Sequence, residues 1–356
     1  MPPDPPTAPP RPAPRVAVVI LNWLDTEATA ACLSALATQT CPAPPGPAVQ
    51  TLVVHNGPDT ADLAPLAATG LAFRLLRPGR NLGFTGGMNL GIRAALADGA
   101  DYVWLLNSDA EPAPDALARL LAHAEAGSDI GLLAPVIRNA SDADRPDFWG
   151  GRIDPSPLTV RMSADPADYR AWEREAPDRI WLAGAALLVT RRLVNAIGLL
   201  DEHLFAYWDD HDYSLRSARA GFRNVLVPEA VVRHRAKPRE AGAPTKPPYY
   251  YYYVARNHVL LLAKHGGLWA NRRPLAWAIG RQLDWACRLR ASPETVRAIC
   301  AGLADGAAGR GGEYRPERRT AALWAPAAPA LGRVLGRLWL RTGRPGQEPD
   351  GDARPR

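Results

Sequence analysis

The sequence predicts an α/β fold built on a mostly parallel, doubly wound sheet, and three observations carry that prediction. Short apolar runs at 15–21, 49–54, 73–76 and 102–106 have the length and composition of strands. Stretches of helical spacing alternate with them, through about Gln39, at 86–97 and at 115–126. Polar turns, Asn22-Trp23 after the first run and His55-Asn56-Gly57-Pro58-Asp59 after the second, mark strand ends at a sheet edge. Strands alternating with helices make crossover units, whose strands run parallel.

The first strand, 15–21, is buried and feeds a helix in which Cys32 fills one face. Residues 132–137 continue the sheet after the helix at 115–126. The polar, proline-containing stretch 139–178 reads as an insertion and a candidate lid, with a hairpin around Trp149-Gly-Gly-Arg152 and a poorly ordered middle. Residues 180–190 form a strand kinked at Gly184-Ala185-Ala186. A short helix follows the polar segment at Asp209, then a strand at 223–227 and a short strand ending on His234. From about Tyr249 the pattern turns helical, with segments at 249–265, 274–290, 293–303 and 329–340. The last two open on a proline that suits a first helical turn. The organisation is a disordered proline-rich arm at 1–14, an α/β domain at 15–248, a helical region at 249–341 and a disordered tail at 342–356.

Composition narrows the class. At 47% hydrophobic and 22% charged, a chain of 356 residues is an ordinary soluble globular protein with a large core. The net charge of +6 comes almost wholly from arginine, which suits anionic partners. Zinc-finger spacing, RNA-binding aromatics and a basic helix beside leucine heptads are all missing, so nucleic acid is not the expected partner. Cys32, Cys41, Cys287 and Cys300 show neither a Cys-x-x-Cys pair nor a metal spacing with histidine, and read as reduced cysteines of a cytoplasmic protein. No apolar run reaches bilayer length, and 1–14 lacks the apolar core of a secretion signal.

Asn107-Ser108-Asp109, closing the run 102–106, is the most informative stretch. Ligands bind at the carboxyl edge of such sheets, and a carboxylate there suits Mg²⁺ or Mn²⁺ that also holds a diphosphate. Because Asp109 opens Ala-Glu-Pro-Ala-Pro, it also suits a helix cap or turn. The run from Arg80 to Asn89 is glycine-rich and joins a strand to a helix. Its glycines either admit a phosphate to backbone N–H groups or allow close helix–strand packing. Its spacing fits neither a P-loop nor a dinucleotide fingerprint, which argues against an ATPase and a nicotinamide enzyme.

Tyr207-Trp208-Asp209-Asp210-His211-Asp212 is the densest acidic cluster. Asp212 and Arg216 have the i,i+4 order that stabilises a helix, so Asp212 reads as structural. Asp209 or Asp210 would cap the helix, and a carboxylate left facing a cleft would serve as general base for a hydroxyl. Trp208 offers a flat face to a sugar ring or packs in the core. His234 would complete a metal site or sit hydrogen-bonded at the surface.

In this order, the pieces resemble the family 2 glycosyltransferases of the GT-A fold, especially the bacterial rhamnosyltransferase-like branch. The resemblance rests on Val18-Val-Ile-Leu-Asn22-Trp23, Val53-Val-His-Asn56-Gly57, Arg80-Asn81-Leu-Gly83-Phe84, Leu105-Leu-Asn107-Ser-Asp109, the run from Gly184 to Arg191, the run from Gly198 to Asp212, Ala220-Gly221-Phe222 and Pro228-Glu229-Ala230. Tyr249 to Asn257 and Ala301 to Gly306 are also similar to the family, so the likeness spans about 15–312. It implies that Asn22, His55 and Asn56 line the nucleotide pocket, with Asn81, Gly83 and Asn107 near the sugar diphosphate. Asp109 would bind the metal, Asp210 would be the catalytic base, and Trp208 with Asp209 would shape the acceptor site. His55 stands where the family usually has an acid, Asn107 where the metal motif usually starts with Asp, and Asp209-Asp210 where Glu-Asp is more common.

The expected activity is an inverting transfer of a sugar, by resemblance rhamnose from dTDP-rhamnose, to a hydroxyl of a glycan or lipid-linked cell-envelope precursor. Mg²⁺ or Mn²⁺ would act as a Lewis acid on the leaving diphosphate. The basic, amphipathic stretch 333–341 would touch the cytoplasmic membrane face, or else pack on its own domain. Two alternatives stay open: transfer of another sugar such as galactofuranose or glucose, and a catalytically silent sugar-nucleotide-binding protein.

Overall fold

The computed structural model describes residues 13–40, 47–58, 60–139, 148–235, 246–266, 273, 275–276, 278–282 and 292–316. The chain begins with strand β1 (Arg15–Asn22), helix α1 (Thr26–Ala37), β2 (Ala48–His55), α2 (Ala64–Ala67) and β3 (Arg74–Leu76). It continues through α3 (Gly83–Ala97), β4 (Tyr102–Asn107), β5 (Ala110–Pro112), α4 (Ala116–Glu125) and β6 (Ile130–Asn139). Then come β7 (Gly151–Ile153), β8 (Val160–Met162), α5 (Pro166–Glu175), β9 (Ile180–Trp181), β10 (Ala186–Thr190) and α6 (Arg191–Ile197). The last are α7 (Asp209–Arg219), β11 (Arg223–His234), α8 (Pro248–Lys264) and a helix at Pro293–Ala307, here α9.

Eight strands make the main sheet in the order β3-β2-β1-β4-β10-β6-β11-β5. The sheet is parallel as expected, except that β10 runs antiparallel to β4 and β6, and β5 antiparallel to β11. Helices cover both faces. Val16, Val18 and Ile20 of β1 pack with Cys32, Leu33, Leu66 and Leu117 on one side, and Ala17, Val19 and Leu21 with Met88, Ile92 and Ala95 on the other. A strand points successive side chains to opposite faces, so a strand covered on both must be apolar throughout. Close packing explains two glycines of the run after Arg80. A Cβ on Gly87 would lie 2.3 Å from Leu21 Cδ1, and one on Gly91 2.2 Å from Val19 Cγ1, so both let α3 sit tightly on β1.

Four expectations change. The stretch 139–178 has an ordered middle: β7 and β8 form the hairpin, and α5 follows, capped by Asp165 and burying Tyr169 and Trp172. The segment 180–190 is two strands. β9 pairs with β7 in a small three-stranded sheet and β10 enters the main sheet, so the Gly184-Ala185-Ala186 kink is where the chain changes sheets. The two short strands expected at 223–234 are the single β11, with a bulge between Val227 and Val231. The glycine-rich loop is shorter than expected, because α3 already starts at Gly83.

The N-terminal arm, Cys41, Asp59, Cys287, the helix expected at 329–340, the stretch 333–341 and the C-terminal tail lie outside the described residues, as does most of the helix expected at 274–290. Cys32 and Cys300 are free thiols. No helix among the described residues is long and apolar enough to cross a membrane.

Candidate active site

Register brings the predicted edge residues together. Asn22 of β1 lies opposite His55 of β2, and Leu21 opposite Asn107 of β4, so three neighbouring strands end on polar residues in one row. Asn22, His55 and Asn56 are buried and turn their side chains on the protein. The His55 Nε2–H donates to the Pro58 carbonyl at 2.9 Å, which leaves Nδ1 to accept from Asn22 Nδ2 at 3.3 Å. Asn22 Oδ1 accepts from Thr29, so this pair anchors the start of α1. Asn56 donates to Asn81 Oδ1 and to the Gly83 carbonyl and accepts from the Leu82 N–H, which holds the 81–83 turn. Asn22, His55 and Asn56 therefore shape the edge, with Asn81 and Asn107 half-buried beside them.

Gly83 has φ +73°, and a Cβ there would fall 2.5 Å from the Phe205 carbonyl oxygen. The Thr85 N–H donates to that same oxygen at 3.1 Å. Gly83 thus presses the start of α3 against the segment before α7, where the expectation put it beside a diphosphate. Its Cα face is taken up by Phe205, whose carbonyl oxygen and ring lie where a side chain would go.

Asp109 and His234 do meet. They sit far apart in sequence, but β11 pairs antiparallel with β5, with His234 opposite Ala110, and this places His234 Nε2 3.1 Å from Asp109 Oδ1. Among the described residues no third histidine, cysteine or carboxylate completes a closed metal cage around them. A carboxylate and an imidazole on a partly exposed rim suit a divalent ion that takes its remaining ligands from phosphate and water. Asp109 also borders a cleft of about 610 Å³ with Asp25, Glu27, Glu111 and Arg235, which shares no other predicted site residue.

The acidic cluster opens α7, where the helix N-terminus favours negative charge. Asp210 keeps 19% of its side chain exposed, and its Oδ1 accepts both the backbone N–H and the ring Nδ1–H of His211, each at 2.9 Å. Its Oδ2 accepts from the Gly184 N–H at 3.1 Å. Burial pushes the Asp210 carboxyl up, but the His211 hydrogen bond and charge with the Gly184 N–H outweigh it and hold the group below the usual range, ionised. Asp209 is buried, and burial first, then the neighbouring Asp210 charge, drives its carboxyl well above the usual range. The two carboxyls are pushed apart, and Asp210 is the more accessible, ionised one of the pair. The loop that pins Asp210 also touches the next strand: the Asn107 N–H donates to the Ala185 carbonyl at 2.9 Å.

Two expectations for the acceptor side are corrected. Trp208 is 9% exposed, stacked on His258 at 4.4 Å and packed against His211 at 4.5 Å, so its rings serve the core and offer no sugar platform. Asp209, the first residue of α7, is 7% exposed and likewise buried. Asp212 is structural as expected: wholly buried, it pairs with Arg216, Lys264 and His265, which ties α7 to α8.

Sequence reasoning passed over the residues that set this geometry. Phe205, Tyr207 and Trp208 have φ of 64°, 65° and 66°, a left-handed backbone rare for such side chains. Asn257, buried in α8, holds them by donating to the carbonyls of Leu204, Ala206 and Tyr207. Buried Arg256 donates to Leu204 and to Asn257 Oδ1 and stacks on Tyr252 and Tyr253. A buried, adjacent Arg-Asn pair within a tyrosine-rich helix was the available signal.

A mostly parallel sheet of this order, covered by helices on both faces, is the GT-A fold of glycosyltransferases. The solved structure of S. aureus TarS 1–349 in complex with UDP-GlcNAc superposes with a TM-score of 0.55 over 92% of each chain at 15% identity. That of GalNAc-T7 with UDP, GalNAc and Mn²⁺ superposes with 0.54, over 77% of this chain and 51% of that one, at 14% identity. Residues 13–246 match the glycosyltransferase-like family 2 model, and the chain belongs to that family. It is 31% identical over 254 residues, 65% of its length and 80% of the relative's, to the N-acetylglucosaminyl-diphospho-decaprenol L-rhamnosyltransferase of Mycobacterium tuberculosis. It is 37% identical over 159 residues to galactofuranosyltransferase GlfT1 of the same organism, spanning about half of that protein (48%).

Proposed function

We propose that the chain is an inverting, metal-assisted rhamnosyltransferase that uses a nucleoside diphosphate sugar such as dTDP-rhamnose and a lipid-linked cell-envelope glycan as acceptor. The observation that carries the reading is the ionised, solvent-reached carboxylate of Asp210, fixed through Gly184 beside the strand end that bears Asn107 and Asp109. The choice of rhamnose and of a lipid-linked acceptor is supported by the relative that matches most of this chain. Transfer of galactofuranose is the second reading, supported by the higher identity over the shorter stretch.

In the mechanism, Asp210 Oδ2 takes the proton of the acceptor hydroxyl as its oxygen attacks the anomeric carbon. The bond to the diphosphate oxygen breaks in the same displacement, which inverts the configuration. The row of strand ends at Asn22, His55 and Asn107 would seat the nucleotide, and Asp109 with His234 would hold the ion. A divalent ion bound there would offset negative charge on the leaving diphosphate. The hydrogen bonds to its two oxygens keep Asp210 ionised, and the buried Asp209 leaves it the more accessible carboxylate of the pair.

The test is turnover across a panel of nucleotide sugars with a polyprenyl-diphosphate glycan acceptor, with and without Mn²⁺, in wild type and Asp210→Asn. The reading expects one donor to be consumed only with metal, with Asp210→Asn binding it normally and turning it over at least about 100-fold more slowly. Undiminished turnover in Asp210→Asn rejects the base, and preference for a galactofuranosyl donor selects the second reading.

A further inference from the structure

His211 lies next to the base and has no place in the mechanism above. Its ring is one member of an aromatic wall: 4.5 Å from Trp208, 5.1 Å from Trp181, with Trp208 stacked in turn on His258. His258 is fixed by a 2.7 Å hydrogen bond to the Pro157 carbonyl in the β7–β8 hairpin. Four segments therefore set the orientation of the His211 ring: β9, α7, α8 and that hairpin. A surface histidine that simply follows an aspartate at a helix start has no such enclosure.

The hydrogen-bond arrangement is unequal. Each carboxylate oxygen offers about two lone-pair positions. On Asp210, Oδ1 uses both for His211, one for the backbone N–H and one for the ring. Oδ2 uses one for Gly184, which leaves one position among the described contacts. The ring bond stops the carboxylate from rotating about its Cβ–Cγ axis and exchanging its two oxygens.

We propose that Asp210 and His211 form a dyad in which the imidazole, as Nδ1–H donor, locks the carboxylate so that Oδ2 alone accepts the acceptor's proton. The proposal rests on Asp210 being the base. His211 is a positioning residue in it: the proton ends on Asp210 Oδ2, and the imidazole keeps its own. The dyad also sets the pH at which the base becomes available, because a donor to the carboxylate favours its ionised form. The charged and titratable groups around the ring are Asp209, Asp210 and Asp212 on α7, His258 on α8, and Arg281, which acts on His258. Residues 182–185 contribute none.

The experiment uses the full chain and compares His211→Asn with His211→Gln. Asparagine puts its amide where Nδ1 was; glutamine puts it where Nε2 was. With the donor sugar found above, the pH profile of kcat/KM is measured for both variants, wild type and Asp210→Asn. The dyad predicts that His211→Asn keeps the acid limb in place, while His211→Gln moves it up by about one pH unit. His211→Gln should also lose about tenfold in kcat at neutral pH with donor KM unchanged. An unmoved limb in His211→Gln overturns the proposal, as does an equal loss of kcat in both variants with no limb shift, the result a merely structural residue would give. Histidine ¹⁵N NMR of the unmutated protein gives a second reading that needs no variant to fold. A proton on His211 Nδ1 is required, and the Nε2–H tautomer overturns the dyad. If Asp210→Asn keeps its turnover, the base assignment fails on its own account.

Discussion

Asn257→Ala should test how the active-site loop is held. The side chain is wholly buried and its amide donates to three carbonyls, Leu204 at 2.9 Å, Ala206 at 2.7 Å and Tyr207 at 2.9 Å. Its Oδ1 accepts from Arg256 Nε at 2.8 Å. An amide has two protons, so the three carbonyls share about two hydrogen bonds' worth of donation, and a third bond is lost at Arg256. Each buried partner left unsatisfied costs about 1–3 kcal/mol, which puts the gross loss of the three bonds near 3–9 kcal/mol. Against this, Phe205, Tyr207 and Trp208 lie in the left-handed region, and their release returns about 1–2 kcal/mol each where the chain can relax. With one of the three relaxing, the net expected loss is about 1–8 kcal/mol in urea unfolding, with much of the damage confined to 204–208. Because Asp209 and Asp210 follow directly, kcat should fall by at least about tenfold while donor KM changes little. A variant within about 0.5 kcal/mol of wild type and with unchanged kcat would refute the argument. It would mean that α7 and Arg256 alone set the loop.

Two further outcomes follow from the same packing. Gly83→Ala places a methyl 2.5 Å from the Phe205 carbonyl oxygen and 2.6 Å from its ring, at φ +73°, so thermal unfolding should show a loss of about 2–4 kcal/mol, and a loss under 1 would contradict the contact. His258 is buried, and burial lowers its ring to about 4, against about 6.5 when unfolded, so the unfolded chain binds the extra proton between those values. Stability present above pH 6.5 should therefore fall as the pH drops toward 4, by up to about 3 kcal/mol. His258→Phe, which keeps the stack on Trp208, should flatten that slope in melting curves between pH 7 and 4.5, and an unchanged slope would clear His258 of the effect.

The strands at 15–22 and 102–107, and the second half of the strand at 48–55, were legible because both of their faces are covered, so burial writes an apolar run into the chain. The polar residues that end them were legible too, as was the helix-stabilising role of Asp212, since i,i+4 spacing is local. Helix α5 escaped notice because only Tyr169 and Trp172 of its residues are buried, too sparse a stripe to stand out in a polar stretch. From the sequence, Trp208 suits either a sugar platform or the core. Only the position of α8, which brings His258 against it, decided that the indole is core.

The sequence by itself determined the alternation of strands and helices, the row of polar residues at one edge and the acidic cluster at 207–212. These depend on periodicity and on residue type, which are properties of neighbours along the chain. Tertiary structure alone decided that Asn22 and His55 spend their side chains on each other, that His234 reaches Asp109 and that the Asp210 carboxyl is held below the usual range while that of Asp209 is driven above it. Each of those depends on strand register, or on the desolvation and charge that packed elements impose, and neither exists until distant segments meet.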